Sequence, residues 1–290
     1  MTMVVEIAGP LLTVQDGGRI GRAHQGVARS GAFDQRARNT ANRLVGNPAD
    51  AAVLEALLGS CAFITTEPVV VAVTGARSLV TVNGGSVGQD MALSLRAGDR
   101  LNIGMPTEGL RTYVSLRGGV GGPMVLGSRS YDSLGDIGPA PLTDGCHIVC
   151  AQCLPQGDPW FEPIPIRRRQ HSAEPMAVEI VFGPRSDWLT PGSLRTLTEE
   201  VWTIDAASNR IGVRLNGATL RRPPSRENAD LPSEAMIPGA IQIPPNGSPI
   251  ILGPDAGTTG GYPVVAVVRR QSLDDVAQLR PGDRLRFICR

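Results

Sequence analysis

The densest run of chemistry-bearing residues is Asp255-Ala-Gly-Thr-Thr-Gly-Gly-Tyr-Pro263. Glycines such as Gly260 and Gly261 let the backbone approach a ligand, and successive N–H groups form an anion-holding concavity. The hydroxyls of Thr258 and Thr259 add donors, and Tyr262 adds an aromatic face with a polar tip. Such donors suit a carboxylate or an oxyanion developing in a transition state. Asp255, Thr258 and Thr259 are therefore the candidate catalytic residues, with Asp255 as general base. A tight turn joining two strands would use the same residue types.

A second group is built on arginine. Arg117, Arg129 and Arg210 each stand within two residues of Gly or Ser in turn-like motifs: Arg117-Gly-Gly, Leu126-Gly-Ser-Arg-Ser130 and Ser208-Asn-Arg-Ile-Gly212. A guanidinium is a rigid fork for carboxylate or phosphate, and equally for an internal salt bridge that pins a loop. Ser128, Ser130 and Ser208 are candidate partners for ligand oxygens, although His24, His147 and His171 all lie outside these motifs. A Ser–His–Asp triad is accordingly not expected. Gln15 and Gln242 offer amides that donate and accept toward a polar ligand, or that tie two loops together. Asp16, Asp34 and Glu55 are further acids within motifs, with Asp34 placed to cap a helix and Glu55 to pair with an arginine. Cys146-His-Ile-Val-Cys-Ala-Gln-Cys153 has the residue types of a zinc site. On a strand, however, Cys146, His147 and Cys153 would not share a face, so buried thiols are expected and no metal.

All 28 basic residues are arginine, because the chain contains no lysine. That excludes Schiff-base chemistry, a Walker lysine, and covalent attachment of biotin or lipoate to this chain. The formal net charge of +1 gives no basic field for nucleic acid or an anionic membrane. Aromatic residues at 4% argue against a base-stacking platform. No apolar run approaches the length of a membrane span, and the first residues lack a signal-peptide pattern, so a cytoplasmic protein is expected.

The elements that must position these residues are mostly strands. Gly and Pro, 35 and 24 of 290 residues, punctuate short apolar runs throughout. Val69–Val73, Leu79–Val82, Leu110–Leu116, Val178–Phe182, Ala240–Ile243, Ile250–Leu252 and Val264–Val268 read as strands, with Asn83-Gly84 as a hairpin turn. One helix is predicted near 34–45, with Asp34 as N-cap, Ala37, Ala41 and Leu44 on one face, and Gly46 as its stop. Asn47-Pro48 reads as the N-cap and first position of another short helical turn. Leu95-Arg-Ala-Gly-Asp-Arg-Leu101 and Leu279-Arg-Pro-Gly-Asp-Arg-Leu285 agree at six of seven positions, which suggests two comparable halves. We expect an N-terminal domain over 1–165 and a C-terminal one over 176–290. A Pro-rich connector over 155–175 would carry Arg167-Arg168-Arg169 as a solvated run.

Taken in order, Thr13-Val-Gln-Asp-Gly-Gly-Arg19, Gly26–Asp34, Asn42–Pro48, Pro238-Gly-Ala-Ile-Gln242 and the segments above resemble one family. It is the allophanate hydrolase subunit 2 family, also called the biotin-dependent carboxyltransferase or 5-oxoprolinase C-subunit family, with Kip-type antagonists among its members. The chain departs from the family pattern at Phe33 (usually Met), Asn209 (usually Asp) and Gly257 (usually Gln). The resemblance implies a mainly β fold of two cyclophilin-like β-barrel units with a few short helices. It also implies a subunit acting on a small amide, foremost ATP-dependent hydrolysis of 5-oxoproline to glutamate. The alternatives are a carboxyltransferase served by biotin on a separate carrier protein, and a Kip-type module that sequesters a kinase inhibitor. Implied partners are a subunit-1 (Kip inhibitor-like) homologue and a further lactam-utilisation or carboxylase subunit, with ATP used by the complex.

Overall fold

The computed structural model describes residues 2–165, 174–227 and 229–289. Strands account for 35% of the described residues and helices for 13%, so the mainly β expectation holds. Two compact units are present. The first comprises Met1–Ile20, Ser30–Asp132 and Asp136–His171, and the second Gly21–Arg29, Ser133–Gly135 and Ser172–Arg290.

The first unit contains a five-stranded and a six-stranded antiparallel sheet. The five-stranded sheet runs Leu11–Gln15, Val53–Leu57, Glu108–Leu116, Val69–Arg77, Ala92–Leu95. The six-stranded sheet runs His147–Ile148, Met3–Ile7, Cys61–Thr65, Arg100–Ile103, Val80–Val82, Gly85–Val87. Leu12, Val14, Leu54, Ala56, Val71, Val73, Val114 and Leu116 share a core with Met3, Val5, Phe63, Leu101 and Ile103 of the other sheet. The intervening residues of the five-stranded sheet necessarily face the other way. They include Thr13, Gln15, Glu55, Thr74, Tyr113 and Ser115, all buried. Helix α1 (Gln35–Leu44) covers part of this face: Ala37 packs with Val53 and Tyr113, and Thr74 Oγ1 donates to the Ala37 carbonyl at 2.9 Å. Asp34 caps α1 as expected, accepting from Ala37 N at 2.8 Å.

The second unit is a closed barrel in the order Met176–Phe182, Val264–Val268, Ala240–Gln242, Ile250–Leu252, Gly212–Asn216, Trp202–Ile204, Arg284–Cys289. The last strand closes the barrel by running parallel to the first. Val178, Ile180, Leu285 and Phe287 are fully buried, while Ala177 and Val181 alternate outward. Two helices not expected from the sequence, α2 (Pro191–Glu199) and α3 (Arg270–Val276), complete this unit.

The repeated heptads form the same turn. Arg96 N donates to Asp99 Oδ2 at 2.7 Å and Arg280 N to Asp283 Oδ2 at 2.9 Å. Gly98 and Gly282 both take φ of +87°, a conformation open to glycine and costly for other residues. Each turn opens a strand, Arg100–Ile103 or Arg284–Cys289. The Asn83-Gly84 hairpin is also present, pairing Val80–Val82 with Gly85–Val87.

Asn47-Pro48 departs from expectation. It yields a single turn, closed by Ala51 N to the Pro48 carbonyl. Asn47 caps nothing there; its side chain donates to the Leu116 carbonyl at 2.7 Å and accepts from Gly118 N at 2.8 Å. The proposed connector is tied down over its first half, where Gln156 N, Trp160 N and Ile164 N donate to the carbonyls of Gly46, Leu44 and Asp90. Arg167, Arg168, Arg169 and His171 lie outside the described residues.

Candidate functional site

In the second unit, Asp255 is fully buried and is gripped by Arg210, itself 4% exposed. Arg210 Nε and Nη2 donate to the two carboxylate oxygens at 2.8 Å each, and Ser133 donates its N–H and hydroxyl to Oδ2 at 3.1 and 2.8 Å. A carboxylate sealed from solvent, with one oxygen accepting three hydrogen bonds, is poorly placed to take a proton from a substrate. The general-base expectation for Asp255 gives way to a positioning role, because the ion pair fixes the turn that launches Gly257–Tyr262. Asp255 N donating to the Arg210 carbonyl reinforces that turn.

The Gly/Thr loop emerges from this anchor. Thr259–Gly260 pairs with Glu234–Ala235, and Met236 N donates to the Thr258 carbonyl at 2.9 Å. A side chain at Gly260 would stand 1.8 Å from Met236 Cε, so the flexible end of Met236 would have to move to admit one. Gln242 is buried and donates its amide to the Tyr262 carbonyl at 3.0 Å, which places it as the tie between two loops. Thr259, Gly261 and the Tyr262 ring are exposed, and Thr258 and Gly260 are half-buried. Among the described residues, neither threonine hydroxyl has a hydrogen-bond partner. Glu234 beside the loop is held below the usual carboxylate range by its hydrogen bond from Arg185.

Ser208 and Asn209 shape the approach to Arg210. Ser208 Oγ accepts from Arg214 N at 3.0 Å, and Asn209 Oδ1 accepts from Ile211 N at 2.8 Å and Gly212 N at 3.2 Å. Asparagine thus supplies the acceptor that an aspartate would offer at this turn.

In the first unit, Asp16 collects the Leu126–Ser130 motif. Its Oδ1 accepts from Gly18 N at 2.8 Å and from the hydroxyls of Ser128 and Ser130 at 2.6 Å each, and its Oδ2 accepts from Arg129 N at 2.6 Å. Ser130 Oγ also accepts from Asp16 N at 2.9 Å, so both serines are structural groups within a knot. Arg129 reaches the Gly122 carbonyl at 3.1 Å. Arg117 donates to the Val45 and Gly157 carbonyls at 2.9 and 3.1 Å and pins two backbone segments. Gln15 donates to Thr13 Oγ1 and to the Tyr131 carbonyl.

Tyr113 and Ser133 join these networks without having been expected from the sequence. Tyr113 donates to Glu55 Oε2 and accepts from Asp34 N, both at 2.8 Å, and Phe33 N donates to the same Glu55 oxygen at 2.9 Å. Arg111 stacks over Phe33 at 4.6 Å and lies 3.6 Å from Glu55 Oε1. Burial, with the charges of Glu55 and Asp34 nearby, pushes the Tyr113 phenol well above its ordinary value. Alternation along Leu110–Leu116 is the signal that puts Tyr113 on the polar face. Cys146, Cys150 and Cys153 are half-buried, which corrects the expectation of buried thiols. Thr143 holds the Cys146 thiol below its ordinary range through its hydroxyl and backbone hydrogen bonds. Among the described residues, no group of three His, Cys, Asp or Glu is placed to hold a metal ion. Among the same residues, no helix is long and apolar enough to cross a membrane.

The predicted site residues therefore fall into two sets, Arg117 and Ser128–Ser130 in the first unit and Ser208, Arg210, Gln242 and Asp255–Tyr262 in the second. Residues 25–289 match the family described as carboxyltransferase domain, subdomain A and B, and the chain belongs to that family. It is 34% identical to the 5-oxoprolinase C-subunit of Escherichia coli, over 97% of this chain and 89% of that protein. It is 30% identical to urea amidolyase of Saccharomyces cerevisiae, over 98% of this chain but 16% of that protein. The crystal structure of the K. lactis urea amidolyase superposes with a TM-score of 0.92 at 28% identity, covering 99% of this chain and 18% of that one.

Proposed function

We propose that this chain is a subunit of a heteromeric cytoplasmic enzyme that opens the ring of 5-oxoproline to glutamate at the expense of ATP. The observation that carries this reading is the near-complete mutual coverage with a 5-oxoprolinase C-subunit, 97% of one chain and 89% of the other. The urea amidolyase match spans 16% of a much longer protein. In this reading Thr258, Thr259 and the Gly261 backbone donate to the lactam or its developing oxyanion and Tyr262 packs on the ring, while the Gly260 N–H is engaged in the pairing with Glu234. Arg210 and Asp255 hold that loop, and Gln242 fixes its exit. Arg117, Ser128, Arg129, Ser130 and Ser208 shape backbone segments, so their contribution to substrate is indirect. The lack of lysine fits a division of labour in which partner subunits, a subunit-1 (Kip inhibitor-like) homologue among them, supply the ATP site.

The test is ATP-dependent release of glutamate from 5-oxoproline by the chain assembled with its subunit homologues. A folded, assembled complex with no turnover would remove the proposal. The family description favours a second reading, carboxyl transfer from biotin borne by a separate carrier. Biotin would supply the carboxyl group, and the same Thr/Gly donors would hold its oxygens. Urea-dependent loss of the carboxyl group from a separately prepared carboxybiotin carrier, with the free biotinyl carrier and carboxylated urea as products, distinguishes this reading. A Kip-type module instead predicts tight binding of the subunit-1 homologue with no turnover of either kind.

A further inference from the structure

Trp188 closes a short 3-10 turn, Ser186–Trp188, just before α2. The residue is 4% exposed, yet among the described residues its indole N–H has no hydrogen-bond partner. The other buried indole in this unit, Trp202, donates its N–H to the Leu197 carbonyl at 3.0 Å. Burying an indole donor without an acceptor is unfavourable, and native chains nearly always avoid it.

Two guanidinium groups stand on the same ring. Arg226 lies 4.9 Å and Arg222 5.3 Å from the Trp188 ring centroid. Arg226 is paired with Asp187, whereas Arg222 makes one hydrogen bond, to the Ala229 carbonyl at 3.2 Å. Among the described residues no carboxylate pairs with Arg222. Two cations against one indole repel each other, and Asp187 offsets one of them. The segment carrying Arg222 is also fixed: Arg221 N donates to Ser193 Oγ, and Thr190 N, at the α2 N-cap, donates to the Arg221 carbonyl. The positive end of a nine-residue helix therefore adds to the same local potential. The indole N–H is an unengaged donor, and the Arg222 guanidinium, with one hydrogen bond to a backbone carbonyl, keeps further donors.

We propose that Trp188, Arg222 and Arg226 form a binding site for a small oxyanion, a phosphate or a carboxylate. The site is independent of the Gly/Thr loop chemistry. Guanidinium N–H groups supply the charge-assisted bonds, and a small adjustment of the Trp188 ring brings the indole N–H to a third oxygen. Chloride lacks this spread of acceptors, so discrimination between anions is the signature.

Trp188 provides the readout. The full chain is titrated with inorganic phosphate, with acetate, and with sodium chloride at matched ionic strength, and tryptophan emission is followed. We expect a saturable change with phosphate or acetate, absent with chloride, and lost in Trp188→Phe. Arg222→Gln weakens the affinity by about tenfold or more, as befits loss of a charged hydrogen-bond donor. Arg226→Gln is the second variant should the first fail to fold, with far-UV circular dichroism as the check. Phosphate saturation assigns the site to phosphoryl groups and acetate saturation to carboxylates. No saturation by either, a response matched by chloride, or wild-type affinity in both folded arginine variants overturns the proposal.

Discussion

Two buried aspartates, one in each unit, are satisfied by different means. Asp16 is held by neutral donors: the N–H groups of Gly18 and Arg129 and the hydroxyls of Ser128 and Ser130. Asp255 is held by the Arg210 fork, with Ser133 in support. Dipoles spread the stabilisation of a carboxylate over many small contributions, whereas a single guanidinium concentrates it in one group. Loss of one donor should therefore be survivable at Asp16 and severe at Asp255. The first knot gathers Ser128–Ser130, and the second lies at the base of the exposed Thr/Gly loop.

The largest expected effect comes from Arg210→Met, which leaves Asp255 buried without its cation and should cost about 3–5 kcal/mol. Denaturant unfolding measures this, and Arg210→Met combined with Asp255→Leu should recover much of the loss. A single-variant cost near zero would mean that the second unit does not depend on charge at all. Next is Ser130→Ala, which removes one donor to Asp16 and one acceptor of its N–H, at about 1–3 kcal/mol. Should it prove as costly as Arg210→Met, the distinction between distributed and concentrated support would disappear.

A third, pH-dependent effect extends the comparison to a buried group that stays neutral. Tyr113 is raised well above its ordinary value near 10, chiefly by burial and then by Glu55 and Asp34. The folded state keeps the proton that the unfolded chain releases. Its stabilisation is therefore complete below about pH 10 and declines as pH rises beyond it. Melting temperatures of the parent and Tyr113→Phe across pH 7–11 should differ most below about pH 10 and converge toward the alkaline end. Parallel curves would contradict this sign. The smallest effect is at the exposed Arg100–Glu6 pair, where Glu6→Gln should change stability by less than about 1 kcal/mol and by less still in high salt.

Local features were legible where local physics sufficed. The Asp34 cap, the Asn83-Gly84 hairpin and the paired Gly98 and Gly282 turns each depend on residues a few positions apart. Asn47 shows the limit. Its placement before proline reads as a helix cap, but its partners, Leu116 and Gly118, arrive from a distant strand end. The Gly/Thr loop stands out by its residue types, while the role of Asp255 does not, because Arg210 and Ser133 come from separate segments. Helices α2 and α3 were hidden for a related reason. They are short and mixed in character, and contact with the barrel stabilises them more than propensity does.

By itself, the sequence determined the chemistry that this chain lacks. Without lysine it can carry no biotin and grip no phosphate with an ammonium group, so arginine, hydroxyls and glycine backbone remain as its anion ligands. Alternating apolar residues and turn glycines also settled its β character, because the two-residue period of a strand is written directly into the chain. Only the tertiary structure decided which acids are structural and which donors remain available. Burial and hydrogen-bond partners are properties of segments brought together in space, and they turned Asp16 and Asp255 into anchors while leaving Thr259 and Tyr262 exposed and Thr258 half-buried.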